Sequence, residues 1–388
     1  VKNKELSVLV FICIINSLGF GIIVPLLYSY GKRFGINHET IGLLTAAFSI
    51  AQFFATPVLG SMSDKFGRKP LLAISLFGTC LSFLMFAFAQ GVIMLFAARI
   101  LDGLTGGNVS VAQAMISDTS TSKDRAKKFG ILSSAFGFGF VIGPAVGGLL
   151  SKLGPQVPFY FAALMALIGA LCSAFLLKET RIKEKDTGLV QAKRFSFTSL
   201  ITTLKMPVIG TAIFIGFLLT MAQFTMIIGF QTFSVDNLKL SNTNIGLLYT
   251  GFAATGIVMQ LCVPFFTRII SSKAMILLLS TAACFVAMFY TGFTGVVITF
   301  SVGMIIYGLF NGIRNPMLNA IIADNNTSNR QGEVMGVNQS YASIGQTLGP
   351  ITAGFVTMFS IHCVFFLSAF YILIAFLLTF RLTSKCKS

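Results

Sequence analysis

The chain has 388 residues, of which 55% are hydrophobic and only 10% charged, with a formal charge of +16. A soluble domain carries about 25% charged residues, so this composition excludes an ordinary soluble protein and points to a chain whose main solvent is lipid. The basic excess calls for no nucleic acid, because the lysines and arginines fall between apolar runs, where an anionic inner leaflet attracts them.

A membrane-crossing helix needs about 20 apolar residues and must satisfy its backbone internally. In chain order, uncharged runs occupy residues 6–31, 41–63, 129–151, 153–177, 206–235 and 240–267. Three longer stretches fold back on themselves: 70–115 near Ala89-Gln90-Gly91, 274–323 near Gly292 to Gly295, and 334–380 near Ser360. The expectation is twelve spans and an all-α membrane protein. The first run exceeds the apolar core of a signal peptide and lacks a small-residue cleavage site, so it is read as span one.

Counting lysine and arginine on alternate sides gives the orientation. With both termini cytoplasmic, 22 of the 28 basic residues lie inside, four outside (Lys32, Arg33, Lys152, Lys239) and two within spans. The long charged stretch after span six reads as a cytoplasmic linker over 179–205, dividing the chain into six-helix bundles at 1–178 and 206–388. The two halves repeat weakly. An offset of 206 aligns Asp118 with Asp324, Gly139 with Gly345, Gly143 with Gly349 and Pro144 with Pro350; an offset of 204 aligns the two IGLL segments at Ile41 and Ile245, Phe48 with Phe252 and Lys69 with Lys273. Six spans separate the copies, so the repeat is parallel and its axis runs along the membrane normal.

Enzymatic and metal chemistry find little footing. The cysteines form no C-x-x-C pair, His38 and His362 fall in short outside loops, and no cofactor motif or G-x-x-x-x-G-K-[ST] is present. Charged and polar residues inside spans are therefore the candidate site, since such groups are expensive in lipid and functional by default. In span four, Arg99 and Asp102 are three apart, and Gln113 returns to nearly the same face of a straight helix. A carboxylate whose cationic neighbour can leave is a switchable proton site. In span ten, Asn311, Asn315 and Asn319 recur every four residues beside Arg314, a polar stripe expected to line a central substrate cavity with Gln113, Gln52 and Gln339.

Two further patterns stand out. GSMSDKFGRK runs from Gly60 to Lys69 between spans two and three; there Asp64 is expected to cap a helix start, Gly67 to permit a tight reversal, and Arg68 and Lys69 to pair with carboxylates such as Asp118, latching the two halves. In span five, GFGFVIGPAVGG places Gly139, Gly143 and Gly147 four apart, with Pro144 and Gly148 beside them. Each interior glycine costs a helix roughly 1 kcal/mol and proline roughly 3, so the bare face must serve a close helix approach.

These segments, with LGFGIIVPLL from Leu18 and RILDG from Arg99, resemble the major facilitator superfamily, and within it the twelve-span drug:proton antiporters. The resemblance covers the whole chain in order. It implies the major facilitator fold of two pseudo-symmetric bundles and alternating access, with proton-coupled export of a small organic molecule. It also implies a role for Arg99 in proton coupling or substrate response, and packing of the kinked span five against its partner in the other half. Asp102 departs from the family pattern, which usually has an uncharged polar residue there. Spans one and seven lack the acids that exporters of lipophilic cations often carry, so the expected substrate is neutral, zwitterionic or anionic. The alternative is proton-coupled uptake of an anionic molecule by the same fold. The expected partners are the substrate, protons and the bilayer of a bacterial cytoplasmic membrane, with the protein acting as a monomer.

Overall fold

A computed structural model describes residues 3–119, 122–180, 197–270, 272–325 and 331–385, and all the regular structure among them is helical. The helices are α1 (Asn3–Gly31), α2 (His38–Phe66), α3 (Arg68–Ala87), α4 (Val92–Thr105), α5 (Asn108–Asp118), α6 (Ser122–Leu150) and α7 (Val157–Leu176). They continue with α8 (Phe197–Leu204), α9 (Ile209–Thr232), α10 (Asn242–Leu261), α11 (Val263–Ile269), α12 (Lys273–Thr291), α13 (Val297–Asp324), α14 (Gln331–Val356) and α15 (Ile361–Lys385). Of the 179–205 linker, residues 181–196 lie outside the described residues, as do Lys2, Arg330 and Lys387. His38 and His362 sit in the first turns of α2 and α15 rather than in loops.

Among the described residues, eleven segments are long and apolar enough to cross a membrane, α4 and α5 together forming one of them. A twelfth, α14, has the length at 26 residues but carries Asn338, Gln339, Ser340, Ser343, Gln346 and Thr347. The chain folds back after Ala87, after Thr291 and after Val356, at the three places where polar and glycine residues interrupt the long runs. Span four is discontinuous. Its α4 ends at Thr105, and α5 starts after Gly106-Gly107.

The helices group into two compact units, one holding the described residues of Val1–Thr187 and Leu240–Thr250, the other those of Gly188–Lys239 and Gly251–Ser388. In the first unit the core is aliphatic: Leu9, Ile12 and Cys13 of α1 pack with Leu72 and Leu76 of α3, Val111 and Met115 of α5, and Leu132 of α6. Lipid tails are as apolar as leucine, so helices in a bilayer associate through close packing rather than hydrophobic drive. Glycine supplies that closeness. A Cβ placed at Gly139 would collide with Ser17 Oγ and lie 2.7 Å from Ile14 O; at Gly143 it would lie 2.7 Å from Leu18 O, and at Gly147 3.1 Å from Ile22 Cγ2. The bare face of α6 is thus the seat of α1.

The second unit repeats the device. Cβ atoms at Gly345 and Gly349 of α14 would lie 2.9 Å from Phe217 O and 2.6 Å from Met221 O of α9. Thr225 adds a hydrogen bond from its hydroxyl to the Gly349 carbonyl at 3.1 Å. The glycines aligned by the sequence offset therefore perform one task twice, joining the first and fifth spans of each repeat.

Overpacking this seam costs about 1–3 kcal/mol or more. Gly143→Leu is expected to lower the thermal midpoint of the purified protein sharply. Gly130→Ala, where nothing lies within 4 Å of the added methyl, is expected to leave it unchanged or raise it.

Candidate functional site

Helix α2 runs through Asp64 to Phe66, so Asp64 lies in a last turn and does not cap a helix start. The chain reverses at Gly67, whose φ of 111° belongs to the region that favours glycine. The capping role falls to Glu179, which follows α7: its carboxylate accepts from the backbone N–H of Arg68 at 2.9 Å and of Lys69 at 3.2 Å. Two orphan donors and the positive dipole end of α3 make this a favourable place for a carboxylate.

Arg68 gathers the rest. Its guanidinium lies 2.6 Å from Asp64 Oδ1 and 3.1 Å from Asp118 Oδ2, and donates to Ser63 Oγ. The Ser63 hydroxyl in turn donates to Gly60 O at 2.7 Å. Lys69 enters through its backbone. All of these groups belong to the first unit, where the cluster braces α2, α3 and α5 to one another. The second unit has its counterpart in Lys273 Nζ and Asp324 Oδ2, 2.5 Å apart, at the aligned ends of α12 and α13.

In span four, Arg99 and Asp102 are 2% and 6% exposed. Arg99 Nη1 stands 3.7 Å from Asp102 Oδ2, an ionic contact too long for a hydrogen bond. The guanidinium lies over the ring of Phe48 at 4.6 Å, while its Nε and Nη1 have no hydrogen-bond partner. Removing two charges from water is costly unless the remaining donors are satisfied, so the burial of this pair is only partly compensated. Gln52 donates to the Gly106 carbonyl at 3.3 Å, stitching α2 to the break in span four. Gln113 is exposed and apart from the pair, because the break at Gly106-Gly107 resets the helical phase on which the straight-helix expectation rests.

In span ten, Asn315 and Asn319 are exposed and Asn311 is half-buried. Arg314 does not join their stripe. It is 2% exposed, donates to Asn311 Oδ1 and to Tyr307 Oη at 3.3 Å, and lies 5.4 Å from the Tyr307 ring centre. Tyr307 stacks on Phe252 at 6.0 Å and 13°. Arginine's position on α13, one residue before the exposed Asn315, turns it into the helix packing instead of toward the exposed face. The phenylalanines aligned by the 204 offset, Phe48 and Phe252, thus both take part in an arginine–aromatic cluster; that alignment was the available signal for them. Gln339 is exposed on α14.

Span five has one further contact. Its glycine stripe meets α1, while Pro144 and Gly148, at the kink, meet the first part of α10, a helix of the chain's second half. A Cβ at Gly148 would lie 2.7 Å from Asn242 O, and one at Gly246 would collide with Pro144 O. Thr243 donates to Gly148 O at 2.9 Å. The Thr250 hydroxyl donates to Val141 O at 2.8 Å and accepts from Ala145 N at 3.1 Å, bridging the two groups that one helical turn pairs, beside the proline that lacks an N–H.

This is the architecture of a polytopic helical transporter: glycine-seamed spans, an internal repeat, and charges buried within the membrane. The chain belongs to the Major Facilitator Superfamily, whose model matches residues 9–294 and 213–387. It is 31% identical over 367 residues to multidrug resistance protein 2 of Bacillus subtilis (strain 168), covering 93% of this chain and 91% of that one. It is 27% identical to the quinolone resistance protein NorA of Staphylococcus aureus, with the same coverage. It is 28% identical over 361 residues to the class B tetracycline resistance protein of Escherichia coli, covering 90% and 87%. In fold it is similar to a bacterial homologue of the human lysosomal transporter Spinster, with a TM-score of 0.80, 14% identity and coverage of 99% and 98%. The nucleoside transporter NupG gives a TM-score of 0.79 at 16% identity, covering 99% and 100%. The protein is a multi-pass membrane protein and a transporter, not an enzyme.

Each hydrogen bond of the Thr250 bridge is worth about 1 kcal/mol. Thr250→Val, which keeps the shape and removes both, is expected to destabilise the purified protein measurably in thermal unfolding, and Thr250→Ser to restore it.

Proposed function

We propose that the protein exports a small organic molecule in exchange for protons, working by alternating access with a substrate site open to one side of the membrane at a time. The relatives named for drug, quinolone and tetracycline resistance favour export over uptake. The observation that carries the coupling is the buried Arg99–Asp102 pair, in which a carboxylate stands in the membrane interior with an arginine whose donors are only partly used. Proton arrival at Asp102 removes the charge that holds Arg99 in place; departure restores it. A proton moving down the potential gains about 2.3 kcal/mol per 100 mV, enough to drive a substrate gradient.

The chain in this reading comprises six-helix bundles at 1–178 and 206–388 joined by the 179–205 linker. It resides in the bacterial cytoplasmic membrane with both termini inside and acts as a monomer. The substrate is neutral, zwitterionic or anionic, because the apolar runs 6–31 and 206–235 of spans one and seven carry no acid and Asp102 stands beside Arg99. The Arg68–Asp118 and Lys273–Asp324 clusters act as braces at the cytoplasmic ends of their helices.

In proteoliposomes with an imposed pH gradient, the unaltered protein is expected to move substrate against its gradient as protons flow the other way. Asp102→Asn is expected to lose proton-driven transport by at least tenfold while assembling normally and retaining substrate counterflow. Full pH-driven activity in that variant removes Asp102 from the coupling step, and counterflow in oriented vesicles separates export from uptake.

A further inference from the structure

Arg99 has a second neighbour besides Asp102, and the packing of α2 on α4 supplies it. A Cβ placed at Gly103 of α4 would collide with Phe48 O and lie 2.7 Å from Ala51 Cβ, so the glycine lets the two backbones meet at this level. Their approach sets the Phe48 ring, 7% exposed, over the guanidinium, with Arg99 Cζ 4.6 Å from the ring centre. The ring is held in turn by a row of others: Phe20 of α1 meets it at 5.6 Å and 54°, and Phe140 of α6 meets Phe20 at 5.3 Å and 53°. Phe48 is therefore a fixed seat for the arginine.

Few other groups act on the pair. The helices packed on α4 are α2 and α3; their residues 40–63 and 70–87 include no charged side chain, and the one titratable group there is the Cys80 thiol. Thr79 of α3 is the polar side chain that faces Asp102. The guanidinium thus stands between a carboxylate 3.7 Å away, beyond hydrogen-bond reach, and a ring that it covers. The pull of the carboxylate depends on its charge. That of the ring does not, because a cation over an aromatic face is held by a permanent quadrupole.

We infer that Phe48 is a positioning residue for proton exchange at Asp102: its ring keeps Arg99 short of a direct hydrogen bond to the carboxylate and keeps hold of the guanidinium when a proton arrives. The inference rests on the coupling role proposed for the pair and adds a member to it. An arginine closed on the carboxylate would form a charge-assisted bond that opposes protonation. An arginine with no other seat would be left in the interior without a counter-charge each time the carboxyl became neutral. The ring removes both obstacles.

Phenylalanine analogues fluorinated at one, two and three ring carbons, incorporated at position 48, test this, since fluorine drains charge from the ring face with little change of shape. The readout is an infrared titration of the purified protein that follows the carbonyl band of a protonated carboxyl, the one that Asp102→Asn lacks; it needs no substrate. Each added fluorine is expected to let Arg99 close on Asp102 and to move the midpoint of that band to lower pH, by about one pH unit over the series, a tenfold change in proton affinity. Phe48→Leu is expected to move it at least as far, and Phe48→Tyr to keep it near that of the unaltered protein. A midpoint unmoved by the fluorinated series overturns the inference while leaving Asp102 as a proton site. A titration that shows no band dependent on Asp102 overturns the coupling reading itself, and the role of Phe48 with it.

Discussion

The structure depends on backbone meeting backbone. In lipid, helices gain nothing from hiding apolar side chains from one another, so contact must come from proximity, and proximity from the absence of side chains. Gly139, Gly143 and Gly147 let α6 lie against α1, and Gly345 and Gly349 let α14 lie against α9. Everything else is hung on these two seams, including the aliphatic core of the first unit and the placement of α10's first part against Pro144. The intrinsic helix penalty of so many glycines is offset by the packing they allow.

Against that rigid frame the two buried arginines are the unsettled elements. Each has an aromatic ring beside its guanidinium, Phe48 in one case and Tyr307 in the other, and each leaves Nε and Nη1 without hydrogen bonds. Arg99 has a carboxylate beside it; Arg314 has an asparagine and a tyrosine hydroxyl. The first therefore has an ionisable partner and the second only neutral ones, which is the difference on which the proposed coupling at span four rests.

Much of the fold was legible because lipid writes plainly: uncharged runs marked the spans, and glycine and polar residues marked the turns between them. The repeat was legible too, since the aligned Gly143 and Gly349 perform equivalent packing. The failures have a common source in local geometry that spacing does not encode. Asp64 was read as a cap because it precedes a turn, but α2 continues past it and Glu179, distant in sequence, supplies the carboxylate. Gln113 was placed by a 3.6-residue period that the Gly106-Gly107 break interrupts. Arg314 was grouped with its asparagine neighbours, although one residue of rotation separates a packed face from an exposed one. Thr250 gave no signal at all; a hydroxyl serving another helix's carbonyl and amide is visible only once the helices are side by side.

The charged clusters at the aligned helix ends of the two units are matched in position but not in durability. Arg68 is three-quarters sheltered or more, with several partners, whereas Lys273 and Asp324 are 37% and 55% exposed. Lysine's ammonium is a point charge without arginine's fork, and an exposed pair weakens as the Debye length shrinks to about 8 Å at physiological ionic strength. Added electrolyte therefore loosens the second cluster before the first, so the ionic strength of the surrounding water acts on this molecule lopsidedly.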